Sequence, residues 1–373
     1  MFNIGIIGGG INSAVGKSHL SAIMLLQNMF KIVTASFSRH SLINEKTNEQ
    51  IGLKSDKIYN DYKKMINENK GIIDIIVVLT PTDQHHEQVI YALRNHISVI
   101  CEKALTDSLD KAILIKKSLE KSKAELYVIY NYLGYPMIKE LRHMIESGTF
   151  GKIFSIHIEM PQEGYIKNIE GKPVVPQDWR LNQKNHISYL SLDLGVHLHM
   201  FIKYLINKEP IRVVATQKSF GNFDKIDDDV NAIIEYSDNV VCNMWYSKSA
   251  IGYRNGQKIR IFGSEGSGTW TQMNPEILNF SDNYGNSFVI DRNSPEIKIA
   301  KLEKYNIFKG GHPIGFTEAL RNYYFDIYQK HKQRKTSIKS DVKEVFGFEE
   351  AYNGLKLFHS ISSSMIEKKW IDI

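Results

Sequence analysis

The sequence predicts an α/β protein in two parts. An N-terminal doubly wound parallel sheet spans residues 1–130, and a C-terminal α+β part with a large, mostly antiparallel open sheet spans 131–373. Three observations carry this expectation. The first third alternates short apolar runs with helical patterns, as parallel βαβ units do. Gly8, Gly9 and Gly10 follow the first apolar run directly. Beyond about residue 130, longer alternating segments succeed one another without helices between them, which is the habit of antiparallel strands.

The elements follow in order. Residues 2–7 read as a short apolar strand, 18–28 as a helix and 32–37 as a β-branched strand, with a polar helical segment after it. Residues 72–79 are an Ile/Val run broken only by Asp74. A strand covered on both faces needs that composition, because it has no polar side. Pro81 ends the run; a helix is expected at 84–94, a strand at 98–101, a helix at 107–121 and a strand at 126–130. In the second part a helix over 136–147 stops at Gly148. Strands are expected at 152–160, 211–218, 230–237, 239–247 and 257–263. A helix at about 190–207 separates the first two, and a last helical pattern covers 340–369.

Composition narrows the function classes. A chain of 373 residues has room for two cores. At 42% hydrophobic and 24% charged it is ordinary globular material. The net charge of +6 is spread among acidic residues, with short clusters such as 330–335. It forms no basic stripe with interleaved aromatics, so nucleic acid is not an expected partner. Cys101 and Cys242 match neither a disulfide framework nor a zinc spacing. The longest apolar stretch is too short to cross a bilayer, and the first residues lack a secretory pattern, so a soluble, cytoplasmic protein is expected. His86-Glu87 begins like H-E-x-x-H but has Ile90 where the second histidine must stand, and His197 and His199 leave a helix in different directions. No metal is expected.

The glycines point to a dinucleotide. Gly8 and Gly10, with Asn12 and Ser13 ahead of the first helix, suit a pyrophosphate held by backbone N–H groups and a helix N-terminus. The full G-x-G-x-x-G pattern is not met, since Ser13 stands at the third position and the next glycine is Gly16. Gly16-Lys17-Ser18 looks like the end of a nucleoside-triphosphate loop. That loop needs four residues between its glycines, and Gly10 to Gly16 leaves five. The second strand ends Ser36-Phe37-Ser38-Arg39, without the carboxylate that binds a free ribose 2′-hydroxyl. Ser38 and Arg39 suit a 2′-phosphate instead, which favours NADP(H) over NAD(H). The alternative is that Arg39 is a solvated helix-start residue.

Three further segments resemble the Gfo/Idh/MocA family of oxidoreductases. Thr80-Pro81-Thr82-Asp83-Gln84-His85 is similar to its T-P-x-x-x-H turn, and Cys101-Glu102-Lys103-Ala104-Leu105 to its C-E-K-P-L signature, with alanine where proline is usual. Asp193-Leu194-Gly195-Val196-His197 matches its D-x-G-x-H helix. Tyr130-Asn131-Tyr132, Trp179-Arg180, residues 263–270 and Gly311-His312-Pro313 also resemble family segments, so the likeness covers nearly the whole chain. It implies an N-terminal Rossmann domain, a C-terminal domain whose open sheet makes homodimer or homotetramer contacts, and a sugar, inositol or nucleotide-sugar substrate. It also implies Lys103, Asp193 and His197 as the catalytic set. Thr80, Pro81, His85, Glu102 and Lys103 are implied as further cofactor contacts, and Tyr132, Trp179, Arg180 and His312 as substrate contacts. The glycine-rich run usual before the aspartate is replaced by residues 185–190, Asn-His-Ile-Ser-Tyr-Leu.

The residues themselves suit that chemistry. Asp193 and His197 are four apart on an expected helix and share a face. An imidazole titrating near neutrality can take a proton from an alcohol while the carbon gives up a hydride, and a neighbouring carboxylate fixes its tautomer. Alone, such a pair is often a structural hydrogen bond. Lys103 follows an apolar strand at the carboxyl edge of the sheet, where its ammonium can stabilise charge on a reacting oxygen; a surface pair with Glu102 is the plainer alternative. Two other functions stay open: a non-catalytic dinucleotide-binding regulator, and an enzyme using transient oxidation for elimination or epimerisation.

Overall fold

The computed structural model describes residues 1–177, 185–224, 226–335 and 345–373. It divides into two compact units, Met1–Gly134 with Phe316–Tyr352, and Tyr135–Gly315 with Asn353–Ile373.

The first unit holds a five-stranded sheet of β1 (Phe2–Gly8), β2 (Phe30–Ser36), β3 (Ile75–Leu79), β4 (Ser98–Cys101) and β5 (Leu126–Val128), in the order β2-β1-β3-β4-β5 and parallel throughout. The strands alternate with α1 (Ala14–Met24), α2 (Ser41–Asn48), α3 (Tyr62–Asn69), α4 (Thr82–Arg94) and α5 (Leu109–Glu120). All five residues of β3 are buried, as its Ile/Val composition requires. Asp74 stays outside the strand, accepting from the Asn3 N–H at 2.9 Å. Because β1 pairs with β2 on one side and β3 on the other, the connections reverse direction there. Open α/β sheets bind ligands beyond the strand carboxyl ends at such a point. Helix α1 starts four residues earlier than expected because Ser13 caps it, its hydroxyl accepting from the Gly16 N–H at 3.0 Å.

The second unit begins with α6 (Pro136–Glu146) and β6 (Ile153–Pro161), followed by a small hairpin of β7 (Asn168–Ile169) and β8 (Lys172–Pro173). A π-helical turn, Ser191–Gly195, then runs into α7 (Val196–Ile206). The strands β9 (Pro210–Lys218), β10 (Asp229–Tyr236), β11 (Val240–Ser247), β12 (Lys258–Gly263), β13 (Gly266–Thr271), β14 (Leu278–Asp282), β15 (Ser287–Ile290) and β16 (Ile371–Asp372) join β6 in a nine-stranded sheet, ordered β15-β14-β13-β12-β6-β11-β10-β9-β16. Pairing is antiparallel except between β6 and β11. Alternation gives the sheet two unlike faces. Val230, Ala232, Ile234 and Tyr236 of β10 are buried, whereas Ile233 is 42% exposed. On that open face a shallow groove is lined by His157, Thr216, Asn243, Trp245 and Arg260.

Late in the sequence the chain returns to the first unit with residues 316–352. The unpredicted helix α8 (Phe316–Lys335) belongs to the first unit. Its Tyr324 and Tyr328 pack edge-on against Phe30 of β2, and His331 meets Phe2 of β1 and Tyr127 of β5. Spacings of four and three put those rings on one helical face. Gly134 lies so near α8 that an added Cβ would come within 1.8 Å of the Ala319 carbonyl oxygen. The last helix, α9, spans Phe348–Glu367; of the expected 340–369, residues 340–344 lie outside the described residues and 345–347 are not helical. Among the described residues no helix is long and apolar enough to cross a membrane.

Candidate active site

The first unit presents a glycine loop at the carboxyl end of β1. Gly8 and Gly9 have φ of +80° and +72°, a region costly for residues with a side chain. A Cβ on Gly16 would lie 2.2 Å from the Gly9 carbonyl oxygen and 2.5 Å from its Cα. Gly16 therefore takes the close-packing duty of the third glycine, three positions later than the motif expects. Helix α1 has no acidic residue in its first turn. Its N-terminus and the loop thus form a cradle of N–H donors free of acidic side chains, which fits a pyrophosphate. Asn12 is exposed beside Ser13. At the end of β2, Ser38 is fixed by Asn44, which accepts from its N–H at 2.9 Å and donates to its carbonyl at 2.8 Å. Arg39 next to it is exposed.

Beyond β3 and β4 lies a second cluster. The Thr80 hydroxyl donates to Gln88 Oε1 at 2.6 Å, and Pro81 leads into α4. His85 is buried, its Nδ1 2.8 Å from the Ala104 carbonyl and its Nε2 2.7 Å from that of Thr80. Burial pushes its pKa down, partly opposed by those two carbonyls. His85 thus ties the Thr80 turn to the segment after Lys103. The Lys103–Ala104 peptide is cis.

A hydrogen-bonded chain here was not read from the sequence. Glu102 Oε2 accepts from the Lys103 N–H at 3.1 Å, while its Oε1 lies 2.9 Å from Nε2 of buried His19 on α1. His19 Nδ1 lies 2.6 Å from the Tyr324 hydroxyl of α8. The helix behind the glycine loop is thereby linked to the Lys103 turn. Tyr132 sits in the turn Asn131–Gly134, only 6% exposed, with its ring edge-on to Phe316 at 5.8 Å.

The second unit carries Asp193 and His197. Asp193 lies in the π-helical turn and His197, 6% exposed, in α7. Single π turns inside helices occur often at functional sites. The glycine between the two residues has a packing reason, because a Cβ on Gly195 would meet Phe358 at 2.5 Å and Tyr246 at 3.1 Å. Ser188 accepts from the Ser191 N–H at 3.2 Å, and the Ser191 hydroxyl meets that of Tyr246 at 2.8 Å. The Ser188 and Ser191 hydroxyls therefore anchor this helix start.

The unexpected participant is Lys248, directly after β11. Its Nζ donates to Asp193 Oδ2 at 2.5 Å, and it lies 5.0 Å from the Tyr165 ring centre and 5.6 Å from that of Tyr189. His199 makes a contrast with His197. Buried against Phe358, its pKa falls to about 3, from desolvation first and Lys203 second. It stays neutral at working pH, which argues against His199 as an acid–base group. His312 is exposed, and its carbonyl accepts from Arg292 at 2.6 Å. Trp179 and Arg180 lie outside the described residues.

Comparison with known proteins adds the family. Residues 2–130 match the model described as the oxidoreductase family, NAD-binding Rossmann fold, and residues 138–269 match the GFO/IDH/MocA C-terminal domain. An uncharacterized oxidoreductase of Bacillus subtilis, YfiI, is 26% identical over 282 residues, 74% of this chain and 72% of that protein. The glucose-6-phosphate 3-dehydrogenase of the same organism is 23% identical over 290 residues, 76% of this chain and 78% of its own. The solved structure of an inositol dehydrogenase homolog complexed with NAD+ from Azotobacter vinelandii matches with a TM-score of 0.91 at 23% identity, covering 100% of this chain and 97% of that one.

Proposed function

We propose that this chain, which belongs to the GFO/IDH/MocA family of oxidoreductases, transfers a hydride between a nicotinamide dinucleotide and a hydroxyl-bearing carbon of a sugar, inositol or nucleotide-linked sugar. One observation within the first unit carries the reading. The glycine loop and Lys103 leave the carboxyl ends of β1 and β4, on either side of β3, and the strand order reverses between β1 and β3. Two of the similar proteins, a glucose-6-phosphate 3-dehydrogenase and an inositol dehydrogenase homolog, support the substrate class.

The dinucleotide, when bound, supplies the hydride acceptor or donor. Gly8, Gly10, Asn12 and Ser13 would hold its pyrophosphate, and Thr80, Pro81 and Glu102 would supply further contacts, with His85 fixing the Thr80 turn. In the oxidation direction His197 takes the hydroxyl proton and Asp193 orients the imidazole. Lys103 stabilises negative charge developing on the reacting oxygen. Tyr132, His312, Trp179 and Arg180 are proposed to touch the substrate. Retention of both Lys103 and His197 favours an enzyme over a regulator. Ser38 and Arg39, with no acidic residue at the end of β2, favour NADP(H) over NAD(H). Assembly into a homodimer or homotetramer through the open sheet face is proposed on the apolar Ile233 and Val241 exposed there. The two unbridged thiols suit a reducing, cytoplasmic setting.

The test is a fluorescence titration with NADPH and NADH, followed by a panel of myo-inositol, glucose, glucose 6-phosphate and xylose with the preferred cofactor. Binding of a dinucleotide and turnover of a panel member are expected. Failure to bind either dinucleotide would refute the reading.

A further inference from the structure

We propose that Lys248 is a positioning residue for the reaction, acting through Asp193; the inference rests on the catalytic reading given above. The geometry is that of a built ion pair. Lys248 and Asp193 side chains are 5% and 18% exposed, and the ammonium meets Asp193 Oδ2 at 2.5 Å. The rings of Tyr165 and Tyr189 face the same nitrogen at 5.0 and 5.6 Å, within reach of a cation–π contact.

The backbone around Lys248 is fixed on both sides. Its N–H donates to the Asp228 carbonyl at 2.7 Å, and its own carbonyl accepts from the Tyr165 N–H at 2.8 Å. The preceding Ser247 hydroxyl donates to the same Asp228 carbonyl at 3.0 Å and accepts from the Ser249 N–H at 3.0 Å. A lysine directly after a strand could instead have turned its flexible stem to solvent. This one is held inward at a carboxylate on another element.

An ammonium taken out of water is costly to keep, and breaking such a pair leaves its partner charged and buried. The pair therefore fixes two properties of Asp193: its rotamer and its ionised state. Both are what a carboxylate needs to orient an imidazole and support it when protonated. Lys248 does this without being assigned any contact with the reacting atoms. The glycine at 195 and the π turn place Asp193 within reach of β11, so the D-x-G-x-H helix and the lysine form one arrangement.

The test is a double-mutant cycle on the full chain with Lys248→Met, Asp193→Asn, the double variant and Lys248→Arg. Steady-state oxidation of the best member of the polyol panel is read as kcat and KM, and a thermal melt serves as the check on folding, since Lys248 and Asp193 lie outside the unit assigned to NAD(P)H. Lys248→Met is expected to lower kcat about 10²-fold, the size of loss that a small misplacement of a catalytic group produces. KM should change by less than about threefold, because a group acting through another alters the transition state alone. Lys248→Arg should recover most of kcat. In the Asp193→Asn background, Lys248→Met should cost less than about twofold, since coupled residues are not additive. Equal losses in both backgrounds, or a rise in KM with kcat intact, would overturn the inference. Unchanged kcat in Lys248→Met beside a large loss in Asp193→Asn would overturn it alone. Unchanged kcat in Asp193→Asn would overturn the catalytic reading and the inference with it.

Discussion

Replacing Gly16 with alanine separates a helix residue from a packing residue by the sign of the effect. Gly16 lies in the first turn of α1, and in an exposed helix a glycine-to-alanine change stabilises by about 1 kcal/mol. Here the new methyl group would stand 2.2 Å from the Gly9 carbonyl oxygen and 2.5 Å from Gly9 C and Cα. Those atoms are backbone, so no side chain can swing away. Either α1 or the loop must move by about 1 Å to restore ordinary contact, and overpacking of that kind costs about 1–3 kcal/mol. The loop is the softer partner and is also the phosphate cradle. Dinucleotide affinity should therefore fall about 5- to 150-fold, the same energy written as a binding constant. Fluorescence titration with NAD(P)H reads the affinity, and a thermal melt without cofactor reads the stability. A Gly16→Ala protein that melts higher and binds as tightly as the parent would refute the packing argument.

Three other outcomes follow from the same structure. Arg39→Ala should weaken NADPH binding by about 1–3 kcal/mol, as loss of a charge-assisted bond does, and leave NADH unchanged; equal losses for both would return Arg39 to a solvated residue. His199 has a folded pKa of about 3, below its unfolded value near 6.5, so the unfolded chain binds the extra proton. Its contribution is complete above pH 6.5 and shrinks as pH falls towards 3, by up to about 1.4 kcal/mol per unit; His199→Leu should flatten that part of a denaturation-versus-pH curve, and an unaltered slope would contradict the burial argument. Changing Ile233 and Val241 together to lysine should shift the particle towards the monomer in light scattering, because like charges at a buried self-contact repel; an unchanged mass would move the self-contact elsewhere.

Much of the fold is legible because period and composition are local. The Ile/Val run of β3 reads as a buried strand without any neighbour in view, and β6 and β9–β12 show their two-residue alternation. Helix α8 is hidden because polar residues such as Asn322, Asp326 and His331 are buried beside its Leu320, Tyr324 and Ile327, so no clean apolar stripe at helical spacing shows in the sequence. The return of residues 316–352 to the first unit is a long-range fact. In the site, the glycines, Lys103, Asp193 and His197 are visible as motifs. Gly16 is misjudged by a motif that fixes the third glycine at position 13, whereas the contact needs only a residue without a Cβ where α1 passes Gly9. His19 and Lys248 carry no motif, since each gains its meaning from a partner 83 or 55 residues away in the chain.

The central claim, that this chain transfers hydride with His197 as the acid–base group, meets its most direct test in one paired measurement on His197→Ala. Turnover of the best panel substrate and the dissociation constant for NAD(P)H are measured on the same preparation. Turnover should fall about 10²–10⁴-fold, the range for lost acid–base catalysis. The dissociation constant should stay within about twofold, because the groups assigned to the dinucleotide lie in the first unit. Parental turnover in His197→Ala would contradict the claim and send the search for the proton-carrying group to Tyr132.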